Sequence, residues 1–334
     1  MTTASAPSPN TVAAALAGAA RQALRAPSVF NTQPWRWRVG TETLTLYADR
    51  GRQLPATDPD GRLLMLSCGA ALHHARVALR AAGYVAEVAR LPEPDRSDVI
   101  ARIRLTGRRS AGAAELRLAA AIGRRRTDRR SFGPAEVPPA ELDRLRDAVV
   151  AEGAQLHIVR PHQMPMLAVA TARAAEIELA DPSYRAELAQ WTTRPPGSGD
   201  GVPATTAVRQ GPRRVPIRDY ALGTEPGLEI GDGNDRGAAY ALLYGATDEP
   251  AAWLRAGEAL SALLLTATAA GLSAAPLSDV VDVVWTRKLT RDLLAGLGEP
   301  YLVVRVGVGG DPANLPAAPR RDPKDVITGF VQGG

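Results

Sequence analysis

The chain has 334 residues, of which 45% are hydrophobic and 22% charged, a balance typical of globular proteins with a substantial core. The formal net charge is +5, and nearly all of the basic residues are arginine. Only 4% of the residues are aromatic, so side chains on which bases could stack are scarce and we expect no nucleic-acid partner. The single Cys68 excludes an internal disulfide, the first residues do not form a signal peptide, and no apolar run reaches the ~20 residues of a membrane span. We therefore expect a cytoplasmic protein with no membrane partner.

The first part of the chain alternates helical and strand patterns. Apolar residues recur at helical spacing before Pro27, and the alternation in Trp35–Val39 is typical of a half-buried strand. The predicted elements are, in chain order, helix 12–25, strands 35–39 and 44–47, helix 60–83, and strands 85–91 and 99–105.

A second cycle of the same element types begins near Leu116. Its predicted elements are helices 116–126 and 141–152, strand 156–159, helices 164–180 and 253–271, and strands 280–284 and 301–308. Residues 181–237 are rich in Pro, Gly and charge and are predicted to be irregular, with the length of a lid, a binding loop or a disordered linker.

The two cycles share the order of their elements, and each has a long alanine-rich helix that ends in Ala-Ala-Gly, at 81–83 and 269–271. We therefore predict an α+β fold in which two tandem half-repeats form an intramolecular pseudo-dimer, with helices flanking antiparallel-rich sheets. The predicted halves are residues 10–110 and 111–330, and the second half carries a lid-like insertion at 181–237.

The first segment that points to chemistry is APSVFNTQPWRW at 26–37, between a predicted helix and a predicted strand. Loops of this kind present polar groups from a rigid scaffold, and Ser28, Asn31 and Gln33 supply donors and acceptors. An ordinary turn that leads into a strand with a core tryptophan explains the same residues.

The second segment, RRRTDRRSF at 124–132, brings several guanidinium groups and a hydroxyl to the end of a helix. Arginine binds phosphate in a bidentate manner, so the segment suits one phosphate group. A solvated basic helix end, favourable for the helix dipole, is the alternative.

Two later segments add to these. GLSAAPLSD at 271–279 is a turn after a long helix, and PRRDPKDVI at 319–327 places a basic pair near the C-terminus. Taken separately, the first is a plain helix stop and the second an unremarkable pair of arginines.

Together the four segments resemble, in order, the signature elements of nitroreductase-like proteins that bind flavin mononucleotide (FMN). The fused, double-length layout is most similar to the Acg-like subgroup, in which one chain forms both halves and one flavin site survives. The chain departs from the family pattern with Thr127 in place of serine, one additional residue before Phe132, and Asp279 in place of glycine.

This resemblance implies a division of roles among the cofactor-binding residues. The first loop would lie against the flavin ring and ribityl chain, the arginine segments would hold the phosphate, and the backbone amides of the third segment would face the flavin N5 edge. The implied FMN-binding residues are Pro27, Ser28, Asn31, Gln33, Arg125, Arg126, Thr127, Arg129, Pro276, Leu277, Ser278, Arg320 and Arg321.

The resemblance also implies an FMN-dependent oxidoreductase that transfers hydride through flavin N5 to a small organic substrate such as a nitroaromatic, a quinone or a biosynthetic intermediate. NADPH or NADH would donate the electrons, and no side chain is assigned as catalytic. The alternatives are an FMN storage protein without turnover and a relic without flavin. We expect a monomeric pseudo-dimer, with a homodimer as the alternative.

Metal binding is not expected. The adjacent His73 and His74 lie on a predicted helix, so they point to different faces and cannot clamp one ion. His157 and His162 have no carboxylate near them in the sequence.

Overall fold

A computed structural model describes residues 9–195, 197–231, 233–310 and 314–329. The first sheet has five strands in the order β3-β4-β2-β1-β9, and every pairing is antiparallel except that of β1 with β9. Its strands are β1 (Trp35–Val39), β2 (Thr43–Ala48), β3 (Tyr84–Arg90), β4 (Val99–Arg108) and β9 (Ile327–Gly329). The C-terminal end of the described chain therefore returns to the sheet that the N-terminal part begins.

The second sheet has four antiparallel strands in the order β5-β6-β8-β7. Its strands are β5 (Gln155–Ile158), β6 (Ala239–Gly245), β7 (Ser273–Leu277) and β8 (Glu299–Gly307). The two sheets have the same strand order. The strands β3-β4-β2-β1 of the first sheet correspond, each to each, to β7-β8-β6-β5 of the second. The repeat that the sequence indicates is therefore present in the topology.

Helices surround the two sheets and fill the space between them. They are α1 (Pro9–Ala23), α2 (Arg62–Ala81), α3 (Ala113–Arg124), α4 (Pro139–Ala151), α5 (Met164–Ala180), α6 (Pro182–Thr192), α7 (Pro250–Ala269), α8 (Asp279–Asp282), α9 (Val284–Leu293) and α10 (Pro323–Val326). None of the helices in the described part of the chain combines the length and the apolar content needed to cross a membrane.

The long helices α2 and α7 hold equivalent places in the two repeats and pack against each other at the centre of the molecule. They cross at Gly69 and Gly257, where an added Cβ would lie 2.0 Å from the carbonyl oxygen of Leu254 and of Leu66, respectively. Only glycine permits so close an approach of two helix backbones. This crossing holds the two repeats together.

The structure corrects the predicted elements at two places. Residues 280–284 were expected as a strand because of their β-branched side chains, but they belong to α8 and α9, while the strand is β7, which precedes them. Tertiary context overrides the strand propensity of these valines: residues 273–277 form the edge strand of the second sheet, where Pro276 is tolerated, and the chain turns into α8 directly after them. The segment 181–237, expected to be irregular, begins with helix α6.

Candidate functional site

A cavity of about 940 Å³ lies where both repeats and the 181–237 segment meet, at the upper end of the ~300–1,000 Å³ typical of ligand pockets. The structure brings eleven of the thirteen residues assigned from the sequence to its wall, namely Pro27, Ser28, Asn31, Arg125, Arg126, Thr127, Arg129, Pro276, Ser278, Arg320 and Arg321. The other two, Gln33 and Leu277, do not line it: Leu277 faces a smaller neighbouring cavity, and Gln33 lies buried behind the first turn. All four segments singled out in the sequence therefore meet at one cavity.

The turn between α1 and β1 has an unusual backbone. Phe30, Asn31 and Gln33 have φ values of +45°, +54° and +50°, a left-handed region that non-glycine residues adopt at a cost. The backbone N–H of Gln33 donates to Ser28 Oγ at 2.9 Å, and that of Val29 donates to Ser67 Oγ on α2 at 3.2 Å. Strain of this kind concentrates at binding sites, where the surrounding structure holds it in place.

The amide side chains of this turn tie it to two distant segments. Asn31 Nδ2 donates to the carbonyl oxygens of Gly201 and Pro319, both at 3.0 Å, and Asn31 Oδ1 accepts from Arg320 at 3.0 Å. Gln33 Nε2 donates to the carbonyl oxygen of Gly199 at 2.8 Å, and Gln33 Oε1 accepts from the backbone N–H of residue 321 at 3.1 Å. Both amides therefore organise the cavity wall.

Arg125, Arg126 and Arg320 form a cluster of like charge in the wall, which we call the basic cluster. Among the described residues no carboxylate forms an ion pair with any of the three, and buried nitrogens lack a hydrogen-bond partner in each: Arg125 Nε and Nη1, Arg126 Nε and Arg320 Nε. Burial and the neighbouring guanidinium groups lower the pKa of Arg125 to about 9 and that of Arg320 to about 10. Buried, unpaired guanidinium groups are costly, so this cluster fits a bound anion.

Arg129 lies beside the basic cluster, where its charge contributes to the lowered pKa of Arg125, and it contacts the 181–237 segment. Its Nη1 donates to the carbonyl oxygen of Thr206 at 3.2 Å, and its guanidinium carbon lies 4.5 Å from the ring centroid of Tyr220. Tyr220 in turn meets Phe30 edge to face, with ring centroids 6.0 Å apart. Arg129 therefore connects the predicted phosphate segment with the aromatic part of the wall.

The 181–237 segment contributes a corner at residues 199–201 to the cavity wall, where Gly199 and Gly201 line the cavity. Asp200 accepts hydrogen bonds from Arg194 at 2.7 and 3.1 Å and forms an ion pair with Arg52 of the first repeat. The guanidinium groups of Arg52 and Arg194 each lie 5.3 Å from the ring centroid of Trp191. Charge pairing and stacking fix this corner at the cavity wall.

A second charged cluster, which the sequence reasoning missed, lies behind Ser278. Arg218 Nη2 donates to Glu178 Oε1 at 2.7 Å and to Asp282 Oδ2 at 2.9 Å. Ser278 Oγ donates to Asp282 Oδ2 at 3.0 Å and accepts from Arg218 Nη1 at 3.2 Å, and Asp279 is buried beside them. We call Glu178, Arg218, Asp279 and Asp282 the acid cluster. Its sequence signals were Asp279, which departs from the family pattern, and Glu178, an acidic residue in the mainly apolar helix α5.

Burial dominates the ionisation of this cluster. It raises the pKa of Glu178 to about 8 and that of Asp282 to about 7, and it raises the pKa of Asp279 as well, although Arg218 opposes each shift. The guanidinium group of Arg218 lies 5.0 Å from the ring centroid of Phe30, so the cluster contacts the strained turn.

The histidines that the sequence draws attention to have structural partners. His73 Nδ1 and His74 Nδ1 lie 2.8 and 2.9 Å from Ser261 Oγ at the crossing of α2 and α7, and burial lowers the pKa of both rings. The described residues contain no group of three or more His, Cys, Asp or Glu side chains that could hold a metal ion.

Comparison with known proteins gives relatives across most of the chain, although no protein-family model matches it. The chain is 40% identical over 313 residues to "Putative NAD(P)H nitroreductase Rv3131" of Mycobacterium tuberculosis H37Rv, covering 91% of this chain and 88% of that protein. It is also 36% identical over 313 residues to "Putative NAD(P)H nitroreductase acg" of the same strain. This match covers 92% of this chain and 93% of that protein. The chain therefore belongs to the nitroreductase family.

Solved structures give a more distant match. One match is an FMN- and NADPH-dependent nitroreductase, NfnB from a Sphingopyxis strain, which is 19% identical. The match covers 65% of this chain and 99% of the NfnB chain, with a TM-score of 0.40. NfnB from Mycobacterium smegmatis, in complex with NADPH, is 18% identical and has a TM-score of 0.37.

Proposed function

We propose that this protein is an FMN-dependent oxidoreductase that reduces a small organic acceptor such as a nitroaromatic, a quinone or a biosynthetic intermediate. The observation that carries the proposal is the basic cluster, whose buried guanidinium groups face a large cavity without a carboxylate to neutralise them. The relatives with NAD(P)H nitroreductase in their names support NADPH or NADH as the electron donor.

In this proposal the basic cluster binds the FMN phosphate, and the hydroxyl group of Thr127 assists it. Two phosphate charges offset the repulsion among Arg125, Arg126 and Arg320, and the bidentate geometry of guanidinium groups orients the phosphate. Asn31 and Gln33 hold the strained turn in position through the contacts described above.

The remaining wall receives the rest of the cofactor and the substrate. Pro27 and Ser28 contact the cofactor from the first repeat, while Pro276 and Ser278 approach from the second, with Leu277 directly behind them. Arg129 and Arg321 contribute further positive charge, which suits the phosphate groups of a nicotinamide donor. When bound, FMN supplies the hydride-transfer chemistry, and the protein supplies its position and electrostatic environment.

A specific observation also favours FMN storage without turnover. The corner at 199–201 is bonded to both Asn31 and Gln33 and is paired with Arg52, and these contacts support a 181–237 segment that closes over the cavity. If this cover does not open, neither nicotinamide nor substrate reaches the flavin.

We further propose that residues 10–110 and 111–330 are the two half-repeats and that residues 181–237 are the insertion that acts as the lid. The matching strand order of the two sheets supports this division. A chain that contains both halves needs no second copy to complete the cavity, so we propose that the protein is a monomer. We also propose that it is located in the cytoplasm.

The first experiment asks whether the purified protein carries flavin and whether nicotinamides reduce it. We expect a yellow protein whose visible absorbance bleaches rapidly when NADPH or NADH is added without oxygen. Bleaching by dithionite but by neither nicotinamide would favour storage or a substrate-driven dehydrogenase. A colourless protein that cannot be reconstituted with FMN would contradict both flavin proposals.

The second experiment tests the assigned residues. Replacing Arg125 and Arg129 together with alanine removes one guanidinium group from the basic cluster and one from beside it, so we expect FMN to be released. Arg117→Ala, at an exposed arginine of α3, is the matched control and retains FMN. Equal flavin content in both variants would show that the phosphate site lies elsewhere.

A further inference from the structure

The acid cluster has a composition that a purely structural ion pair does not need. Three carboxyl groups with buried side chains, those of Glu178, Asp279 and Asp282, lie near the single guanidinium group of Arg218. If all three ionised, the buried cluster would carry a net charge of −2, which burial strongly disfavours. The cluster therefore keeps protons at neutral pH, and this agrees with the raised pKa values of Glu178 and Asp282.

One residue, Ser278, connects the protonated carboxyl groups of the acid cluster with the main cavity. Ser278 lines the main cavity, and its hydroxyl group bonds to both Asp282 and Arg218. A hydroxyl group has one proton to donate and can accept twice. When Asp282 is protonated and donates to Ser278, the serine accepts from Asp282 and Arg218, and its own proton is free to point elsewhere.

A second, smaller cavity lies beside the same residues. Its volume is about 20 Å³, enough for one water molecule, and its wall includes Arg218, Ser278 and Asp279 as well as Arg129 and Tyr220 of the main cavity. Asp279 Oδ2 and Arg218 Nε are buried there without a hydrogen-bond partner. The small cavity therefore has room for one water molecule between the acid cluster and residues of the main cavity wall.

We propose that Asp282 and Ser278 form a proton relay that delivers a proton from the acid cluster to the acceptor in the main cavity. This inference rests on the proposed oxidoreductase function. Reducing an acceptor with a hydride also requires one proton. The Ser278 O–H bond breaks as the O–H or N–H bond of the product forms, and the proton of Asp282 restores the serine. Asp282 is left as a carboxylate beside Arg218 and regains a proton from water, while both electrons come from the nicotinamide.

The protonation of the relay depends on the groups that surround it. These are Glu178 on α5, Tyr184 on α6, Arg218 and Tyr220 on the 181–237 segment, Asp279 on α8, Arg62 on α2, Arg129 after α3, Arg287 on α9 and Arg305 on β8. Two of these groups are carboxyl groups, Glu178 and Asp279, and the negative charge of each favours retention of the Asp282 proton. The arginines oppose this retention, and Arg218 is the one that contacts Asp282 directly.

The test separates the two half-reactions of the flavin-loaded protein. The rate of bleaching by the nicotinamide is measured first in Ser278→Ala, because Ser278 lines the cofactor cavity and a loss of cofactor positioning would slow this step, which does not use the relay; the reoxidation rate is then compared with it. Reoxidation of the reduced protein by p-benzoquinone should slow at least tenfold, since a positioned proton donor contributes ~10²–10⁴-fold. Asp282→Asn should slow the same step, and Ser278→Thr should restore it.

Two further readouts distinguish a relay from a structural clamp. The reoxidation rate of wild type should fall as pH rises and the cluster loses its protons, whereas the slow rate of Ser278→Ala should not follow this profile. Infrared spectra of the flavin-free protein should show a protonated carboxyl band that disappears at alkaline pH and weakens in Asp282→Asn.

The outcomes leave the relay distinguishable from the proposed function. A protein that cannot bind FMN refutes the oxidoreductase, while absence of the protonated carboxyl band refutes the relay whatever the flavin content. A flavin-loaded Ser278→Ala variant that reoxidises at the wild-type rate, with the wild-type pH profile, also refutes the relay and leaves the oxidoreductase standing.

Discussion

Arg305 and Arg125 are both buried, but their surroundings differ. Arg305 Nη1 donates to both carboxylate oxygens of Asp235, at 2.7 and 2.8 Å, and its guanidinium carbon lies 4.2 Å from the ring centroid of Phe132. Arg125 has no carboxylate partner among the described residues, and two of its nitrogens have no hydrogen-bond partner. A buried charge that holds the fold together is paired inside the protein, whereas one left unpaired beside a cavity indicates an anionic ligand.

The largest expected effect tests this comparison through stability. Arg305→Met removes the nearer partner of buried Asp235, which keeps only the longer ion pair with Arg213 at 3.6 Å, so we expect the free energy of unfolding to fall by ~3 kcal/mol. Arg125→Met removes an unpaired buried charge and should cause no loss in the flavin-free protein. Urea denaturation of both flavin-free variants provides the measurement. Equal destabilisation would show that the two arginines have the same structural role.

The next effect concerns ligand binding. FMN at a hundredfold excess over its dissociation constant should stabilise wild type by ~2.7 kcal/mol, because only the folded state binds it. Arg125→Met should lose most of this gain, while Arg117→Met should keep it. Thermal unfolding with and without FMN measures the difference, and an undiminished gain in Arg125→Met would contradict the anion site.

The sequence was sufficient for the repeat of element types and for eleven of the residues that line the cavity. Periodicity located the long helices and most strands, and the resemblance of four short segments to the family signature supplied the wall residues. The strand expected at 280–284 was wrong because tertiary context overrides the strand propensity of its valines: residues 273–277 pair with β8 as β7, and the chain turns into α8 directly after them.

The acid cluster lay beyond this reasoning for a different reason. Glu178, Arg218 and Asp282 are 40 and 64 residues apart along the chain, and only the packing of α5 and α8 against the 181–237 segment brings them together. Gln33 shows the same limit, because the family resemblance suggested its contact with FMN, whereas its side chain bonds to backbone atoms at 199 and 321. Long-range partners of this kind have no local signature.

The acid cluster adds a third case to the comparison, because Arg218 has more carboxyl groups around it than it can neutralise. The dependence of stability on pH tests whether these carboxyl groups keep their protons. The folded-state pKa of Glu178, about 8, is raised above its usual 4.5, so its stabilising effect is complete below about 4.5 and is lost as pH rises to about 8. We expect a loss on the order of 2 kcal/mol between pH 5 and 8. Denaturation across this range should show a shallower slope in Glu178→Gln, and parallel curves would show that Glu178 ionises normally.

The smallest effect tests whether the proposed lid positions the basic cluster, and it compares two glycines in the same loop. Gly199 has a φ of +74°, and an added Cβ would lie 2.7 Å from the carbonyl oxygen of Arg320, whereas Gly197 has a φ of +85° with nothing within 4 Å. Alanine at either position adds left-handed strain of ~1–2 kcal/mol, but only Gly199→Ala displaces the backbone that carries Arg320. We expect the dissociation constant for FMN to rise about tenfold, or about 1.4 kcal/mol, in Gly199→Ala and to change little in Gly197→Ala. Fluorescence titration of the flavin-free variants gives both constants. If both variants bind FMN with the same affinity, the corner at 199–201 does not position Arg320, and the basic cluster is assembled without the lid.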